Sequence, residues 1–269
     1  MYHNTVENFG KAAAKKVNFM KDGMGKYFLL SMFAGMFVGI GIMLVFSIGA
    51  PFVAEGSPVV KTLLGASFGV ALTLVIFAGA ELFTGNNMII TIGWLEKKIT
   101  LKDGLLLWLW CYLGNLVGSI LIAWLFLKTG HITNAPLSEF ILKASAGKMN
   151  APFMALFFRG ILCNMLVCLA IWMTSRAKDD TAKLILIWWA LFAFIGSGFE
   201  HSIANMSLLS MGLMIPHDPQ VISLSGFFAN MIPVTLGNII GGALIIGGGY
   251  WFTSHRTVEA KTLEKKKVM

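Results

Sequence analysis

The chain has 269 residues, of which 57% are hydrophobic and only 13% charged. A soluble domain carries about a quarter of its residues as charges, so this composition, with a mean hydropathy of +0.75, excludes an ordinary globular enzyme and indicates a multi-pass membrane protein. The net charge of +8 resides in loops and tails, where it speaks of membrane orientation rather than of nucleic acid.

Residues 1–26 hold Lys11, Lys15, Lys16, Lys21 and Lys26, with Val6, Phe9, Ala13, Val17 and Met20 at three- and four-residue steps. That spacing predicts an amphipathic helix lying on the membrane surface, lysines outward. The first span, about 27–50, is uncharged and carries Gly35, Gly39 and Gly41, small residues that let helices approach closely in lipid. The next apolar segment covers 63–94. As one helix its roughly 32 residues would be about 48 Å long, against a hydrocarbon core of about 30 Å. It is interrupted at 81–87 by Glu81, Thr84, Asn86 and Asn87. Polar, irregular backbone at that depth is tolerated only when buried in protein or lining a wet cavity, so a broken helix is expected.

A third span, about 105–127, contains Leu-Gly-Asn-Leu-Val-Gly, and a polar loop covers about 128–150. The fourth span, about 151–174, contains Arg159 and Asn164. The fifth, about 184–215, is interrupted at 196–201, where Glu200 and His201 stand. The sixth, about 224–252, contains Leu-Gly-Asn-Ile-Ile-Gly. A tail, 254–269, includes Lys265, Lys266 and Lys267. Cys111, Cys163 and Cys168 fall inside apolar spans without metal-ligand spacing. They are read as small packed hydrophobes, and no metal or cofactor is expected. No cleaved leader is expected either.

Three correspondences recur in order at a near-constant offset. Gly35-x3-Gly39 matches Gly160-x3-Asn164, Glu81-x4-Asn86 matches Glu200-x4-Asn205, and Leu-Gly-Asn-x-x-Gly occurs in spans three and six. The chain is therefore read as a transmembrane domain, 27–253, made of two three-span repeats, about 27–127 and 151–252. An odd number of spans per unit forces the second to be inverted, and inverted repeats with broken helices place their site near the midplane. One side collects the lysines of the N-terminus, the 96–103 and 175–183 loops and the tail, while the other keeps Lys61, Lys128, Lys143 and Lys148. That bias places both termini, including the 1–26 helix and the 254–269 tail, in the cytoplasm.

Glu-Leu-Phe-Thr-Gly at 81–85, Phe-Glu-His-Ser-Ile-Ala-Asn-Met at 199–206 and the two Leu-Gly-Asn blocks resemble the formate/nitrite transporter family, and the resemblance covers about 5–253. It is closest to the nitrite and hydrosulfide branches; residues 163–173 are similar to nitrite channels. The resemblance implies an all-α, aquaporin-like fold of six transmembrane helices with the second and fifth broken. It implies a homopentamer in the lipid of a bacterial inner membrane, with one pore per protomer. The implied cargo is a small monovalent anion of a weak acid, hydrosulfide first, with formate and nitrite also accepted. By the family's motifs, Thr84 on the second helix's loop and His201 form the central site. Leu82, Phe83 and Val167 would form a cytoplasmic constriction, and Phe68, Leu72 and Phe194 a periplasmic one. Asn164 and Glu200 would hold the loop or the histidine. By place in the chain, Lys16 and Lys148 would stand at the two mouths.

The residue chemistry is compatible with this reading. Thr84 offers a hydroxyl and His201 one or two N–H groups, although Thr84 could also merely cap a half-helix. Glu81 and Glu200 are expected to satisfy loop N–H groups and lysine or histidine donors, because a bare carboxylate would repel an anion. Histidine titrates near neutrality, so His201 either lends a proton to the cargo or acts as a fixed donor; proton lending is the favoured expectation. A water or glycerol channel of the aquaporin type is the distant alternative, but no Asn-Pro-Ala box occurs. No nucleophile–base–acid set supports an enzyme.

Overall fold

The computed structural model describes residues 2–254, so the tail expected over 254–269 lies outside the described residues beyond Ser254. Helix α1 (His3–Asp22) leads into α2 (Met24–Ala54). The next crossing is assembled from α3 (Val60–Ser67), α4 (Gly69–Thr73) and a π-helical turn (Leu74–Gly79), breaks, and resumes as α5 (Phe83–Leu95). Helix α6 (Leu101–Lys128) completes the first unit. The second unit follows as α7 (Leu137–Met149), α8 (Phe153–Arg176), α9 (Asp180–Gly196), a break, α10 (Ser202–Met214) and α11 (Leu224–Ile239), which continues as a π-helix (Ile240–Gly248).

Five helical stretches among the described residues are long and apolar enough to cross a membrane: Met24–Ala54, Val60–Gly79, Leu101–Lys128, Phe153–Arg176 and Leu224–Ser254. The remaining crossing is shared between α9, with 17 residues, and α10, with 13. Both breaks are entered through a glycine in the left-handed region, Gly79 at φ 84° and Gly198 at φ 72°, where a side chain would be strained. Contacts run α2 along α6 in the first unit and α8 along α11 in the second. In each pair the backbones touch: a Cβ on Gly118 would strike the Met32 carbonyl, and one on Gly241 the Ile161 carbonyl.

The repeat is legible in these contacts, and they correct its register. The Asn115 amide donates to the Ser31 carbonyl (2.7 Å) and the Asn238 amide to the Gly160 carbonyl (2.8 Å). Ser31 is therefore the partner of Gly160, and Gly35 of Asn164, one helical turn away from the glycine alignment read in sequence. Glycines spaced by a turn look alike in an apolar span, so pattern alone cannot fix the phase.

Two further expectations are corrected. The apolar stripe of α1 does not face lipid: Val6, Ala13, Val17 and Met20 are buried, and α1 packs on α5. Phe9 stacks on Trp172 at 5.5 Å, and Lys21 pairs with Asp103 at 2.8 Å, holding both ends. The supposed polar loop at 128–150 contains α7, which buries Ile141, Ser145 and Met149. Helix α7 opens the second unit as α1 opens the first.

Candidate functional site

The two breaks meet in the interior, and each is clamped by the same set of bonds. In the first, Glu81 N–H donates to the Leu30 carbonyl at 3.1 Å. The Asn115 amide donates to the Glu81 carbonyl (2.9 Å) and accepts from Phe83 N–H (2.9 Å). In the second, Glu200 N–H donates to the Arg159 carbonyl at 3.3 Å. The Asn238 amide donates to the Glu200 carbonyl (3.0 Å) and accepts from Ser202 N–H (2.9 Å). The asparagine of each Leu-Gly-Asn block thus satisfies backbone groups that would otherwise be orphaned at depth. In the sequence this motif marks the duplication, and its work as a clamp emerges only from these bonds. The Arg159 side chain lies on the exposed face of α8.

Each glutamate pairs with the lysine of its unit's leading helix. Lys16 Nζ donates to Glu81 Oε1 (2.6 Å), and Lys148 Nζ reaches both Glu200 oxygens at 2.7 Å. Asn86 Nδ2 donates to Glu81 (2.9 Å) and Asn205 Nδ2 to Glu200 (2.6 Å). Tyr27 adds a hydroxyl on Glu81 (3.3 Å), and Asn230 accepts from Asn205 (2.8 Å). The carboxylates therefore bind lysine, amide and tyrosine donors rather than loop N–H groups, and the partners of the Glu200 carboxylate are Lys148 and Asn205, not His201.

His201 caps α10. Its Nδ1 accepts from Ala204 N–H at 3.1 Å, and its Nε2 lies 3.0 Å from Thr84 Oγ1. With Nδ1 occupied as an acceptor, the neutral ring carries its proton on Nε2 and donates it to Thr84. Thr84 stands in the first turn of α5, not in the loop expected for it; the break occupies residues 80–82. Its carbonyl accepts from Asn164 Nδ2 at 3.1 Å, so Asn164 does hold this segment. The Phe194 ring stacks over His201 with centroids 5.9 Å apart, and Phe68 meets Phe194 edge-on at 5.7 Å.

A small chamber lies against His201, walled by Val38, Phe68, Ala71, Leu72, Leu82, Val167, Leu191 and Phe194. Its open volume is about 10 Å³, room for about one water. His201 is the one polar side chain on this wall, and Thr84 sits behind it. Leu82 also borders a second, open cavity of about 370 Å³ lined by Lys16, Glu81 and Asn86, so Leu82 stands between the two cavities. Five of the expected constriction residues, Phe68, Leu72, Leu82, Val167 and Phe194, are thus brought together. Phe83 is not: it turns away and packs on Tyr112 (4.9 Å) and Trp108 (6.2 Å) of α6. Val38, Ala71 and Leu191, unremarkable in sequence, complete the wall.

Comparison with known proteins agrees with this architecture. Residues 3–252 match the family model described as "Formate/nitrite transporter". The chain is 40% identical over 254 residues to the nitrite transporter NirC of Escherichia coli K12, covering 94% of this chain and 93% of that protein. Among solved structures it is similar to an FNT family ion channel, with TM-score 0.88 and 39% identity over 93% of this chain and 98% of that one. It is also similar to a pentameric formate channel with formate bound, with TM-score 0.78 and 33% identity over 87% of this chain and 98% of that one. These relatives are named transporters and channels, not enzymes. The chain is a multi-pass membrane protein, and it belongs to the formate/nitrite transporter family.

Proposed function

We propose that this protein passes small monovalent anions of weak acids across a bacterial inner membrane, hydrosulfide first, with nitrite and formate also accepted. The observation that carries the reading is the Thr84–His201 pair at the wall of a one-water apolar chamber. A bare ion crossing such a wall would lose its hydration at a cost of many kcal/mol, so the cargo enters as its neutral acid and meets few donors: the hydroxyl proton of Thr84, and the Nε2–H of His201, which it shares with Thr84. Thr84 accepts from His201 through Oγ1, so its own O–H remains available to an entering guest. Helix α5 starts at Phe83, so its positive end adds to this donor set.

Lys16 and Lys148 are proposed to receive the anion at the mouths. Each is already neutralised by its glutamate, so neither draws cargo through long-range charge. Each ammonium has three N–H donors, and side-chain exposures of 22% and 25% leave room for a guest to share them. The cargo takes a proton from bulk water at a mouth, crosses Leu82 as the neutral acid and is held by His201 as a fixed donor, returning the proton to water on the far side. The Ala204 bond supports this over proton lending. Lending needs an imidazolium, whose Nδ1–H would face the Ala204 N–H.

Hydrosulfide is placed first because it has one heavy atom, matching a chamber of about 10 Å³; nitrite and formate have three and would need the walls to part. The second reading, nitrite as principal cargo, is favoured by the 40% identity to NirC. The proposed assembly is a homopentamer in lipid with one pore per protomer and cytoplasmic termini, supported by the likeness to a pentameric channel. Purified protein in liposomes, assayed for uptake of hydrosulfide, nitrite, formate and chloride, tests the reading. Hydrosulfide fastest and chloride excluded is expected. Nitrite outrunning hydrosulfide selects the second reading, and chloride passing as fast as either removes the weak-acid mechanism.

A further inference from the structure

The C-terminal ends of α1 and α5 and the start of α6 enclose an open cavity of about 370 Å³ that shares no residue with the chamber. Lys21, Lys97, Lys98 and Asp103 line it, together with Trp94 and Leu101. Asp103, its one carboxylate, is held by Lys21 at 2.8 Å. Lys97 and Lys98 are exposed and form no ion pair with the described residues. Trp94 and Leu101 are 44% and 49% exposed and give one rim an apolar surface. Tryptophan beside lysine at a helix end is the arrangement favoured at a membrane–water interface.

The backbone adds a second observation. Lys97 adopts φ 56°, the one positive φ at a non-glycine residue among the described residues. Helix α5 stops there with Lys98 N–H reaching back to the Gly93 carbonyl at 2.9 Å, a terminus whose left-handed position favours glycine. Lysine at that position runs against the local preference, and such departures concentrate at functional sites. The N-terminal end of α6 borders the same cavity through Thr100, Leu101 and Asp103, and its dipole favours negative charge there.

We propose that this cavity binds the phosphate of an anionic phospholipid, with Lys97 and Lys98 on the headgroup and the acyl chains running over Trp94 and Leu101. Basic pockets between transmembrane helices suit anionic headgroups. The proposal is independent of what crosses the pore.

Native mass spectrometry of delipidated protein, titrated separately with phosphatidylglycerol and phosphatidylcholine, tests it. The intact protein is expected to retain phosphatidylglycerol selectively. The double variant Lys97→Gln/Lys98→Gln is expected to lose roughly 30-fold in that affinity, at about fivefold per lysine, with phosphatidylcholine unaffected. Lys97→Gly separates binding from folding. It relieves the left-handed position, so it should melt at or above the wild-type temperature in detergent while binding phosphatidylglycerol about fivefold more weakly. Equal affinity for the two lipids, or unchanged phosphatidylglycerol affinity in both variants, overturns the proposal. So does displacement of the lipid by millimolar inorganic phosphate, which would make this a site for the free ion.

Discussion

The imidazole Nδ1 of His201 accepts the backbone N–H of Ala204 at 3.1 Å, and this bond fixes what the ring offers on its other side. Nε2 carries the proton and points at Thr84. A glutamine amide reaches about as far as Nε2, whereas an asparagine amide stands nearer to Nδ1. His201→Gln is therefore expected to keep flux within about tenfold of wild type, the worth of one hydrogen bond, and to leave the pH profile set by the cargo's own acid. His201→Phe, with no donor, should abolish flux. Liposome uptake measured from pH 5 to 8 decides; loss of pH dependence in His201→Gln alone would restore proton lending.

Thr84 is the companion test. Valine holds its shape but removes both the acceptor for His201 and the free O–H. Losing one hydrogen bond to the neutral acid costs about 0.5–1.5 kcal/mol, or about 2- to 12-fold in occupancy. Thr84→Val is expected to lower hydrosulfide uptake by that factor, and Thr84→Ser to keep it. Equal uptake in all three proteins would take the hydroxyl out of the mechanism.

Much of this site was legible because polar residues in an apolar run are costly and therefore conspicuous. Glu81, Thr84, Glu200 and His201 announced both breaks. The lysines on α1 and α7 were placed by position alone, and the structure pairs each with its glutamate. What stayed hidden was direction and phase. Leu82 and Phe83 are neighbours of equal hydrophobicity, and only the β-region backbone of Leu82 at φ −100°, ψ 122°, followed by the start of α5, sends one to the chamber and the other to Trp108. Helix α7 was hidden because its short apolar stripe lies among Gly147, Pro136 and lysines that read as loop.

The two lysine–glutamate pairs predict an asymmetry in stability. Glu200 has 5% side-chain exposure and Lys148 25%, so the carboxylate has the more to lose when its partner goes. Lys148→Met leaves a buried charge with only the Asn205 amide and should cost about 3–5 kcal/mol, read as a clear drop in melting temperature in detergent. Glu200→Gln leaves an ammonium that can turn to water and should cost less. Lys148→Met combined with Glu200→Gln should recover most of the loss, since no bare charge remains. A double variant as unstable as the sum of the two singles would show that the pair does not act as a unit.

The membrane topology can be read by thiol labelling. Cys111, Cys163 and Cys168 are all buried, so an impermeant thiol reagent should meet little background. Glu139 on α7 and Lys102 on α6 are both exposed and belong to opposite mouths, since α7 carries Lys148 and the α6 start lies beside α1. The loop around Lys102 is rich in lysine and the α7 segment is not, which places Lys102 inside under the positive-inside bias. In intact cells Glu139→Cys should be labelled and Lys102→Cys should not, with both labelled after permeabilisation. The reverse pattern would turn the whole molecule over, exchanging the Lys16 and Lys148 mouths. Labelling of both sites in intact cells would be incompatible with two inverted units, because the two positions would then share one face of the membrane.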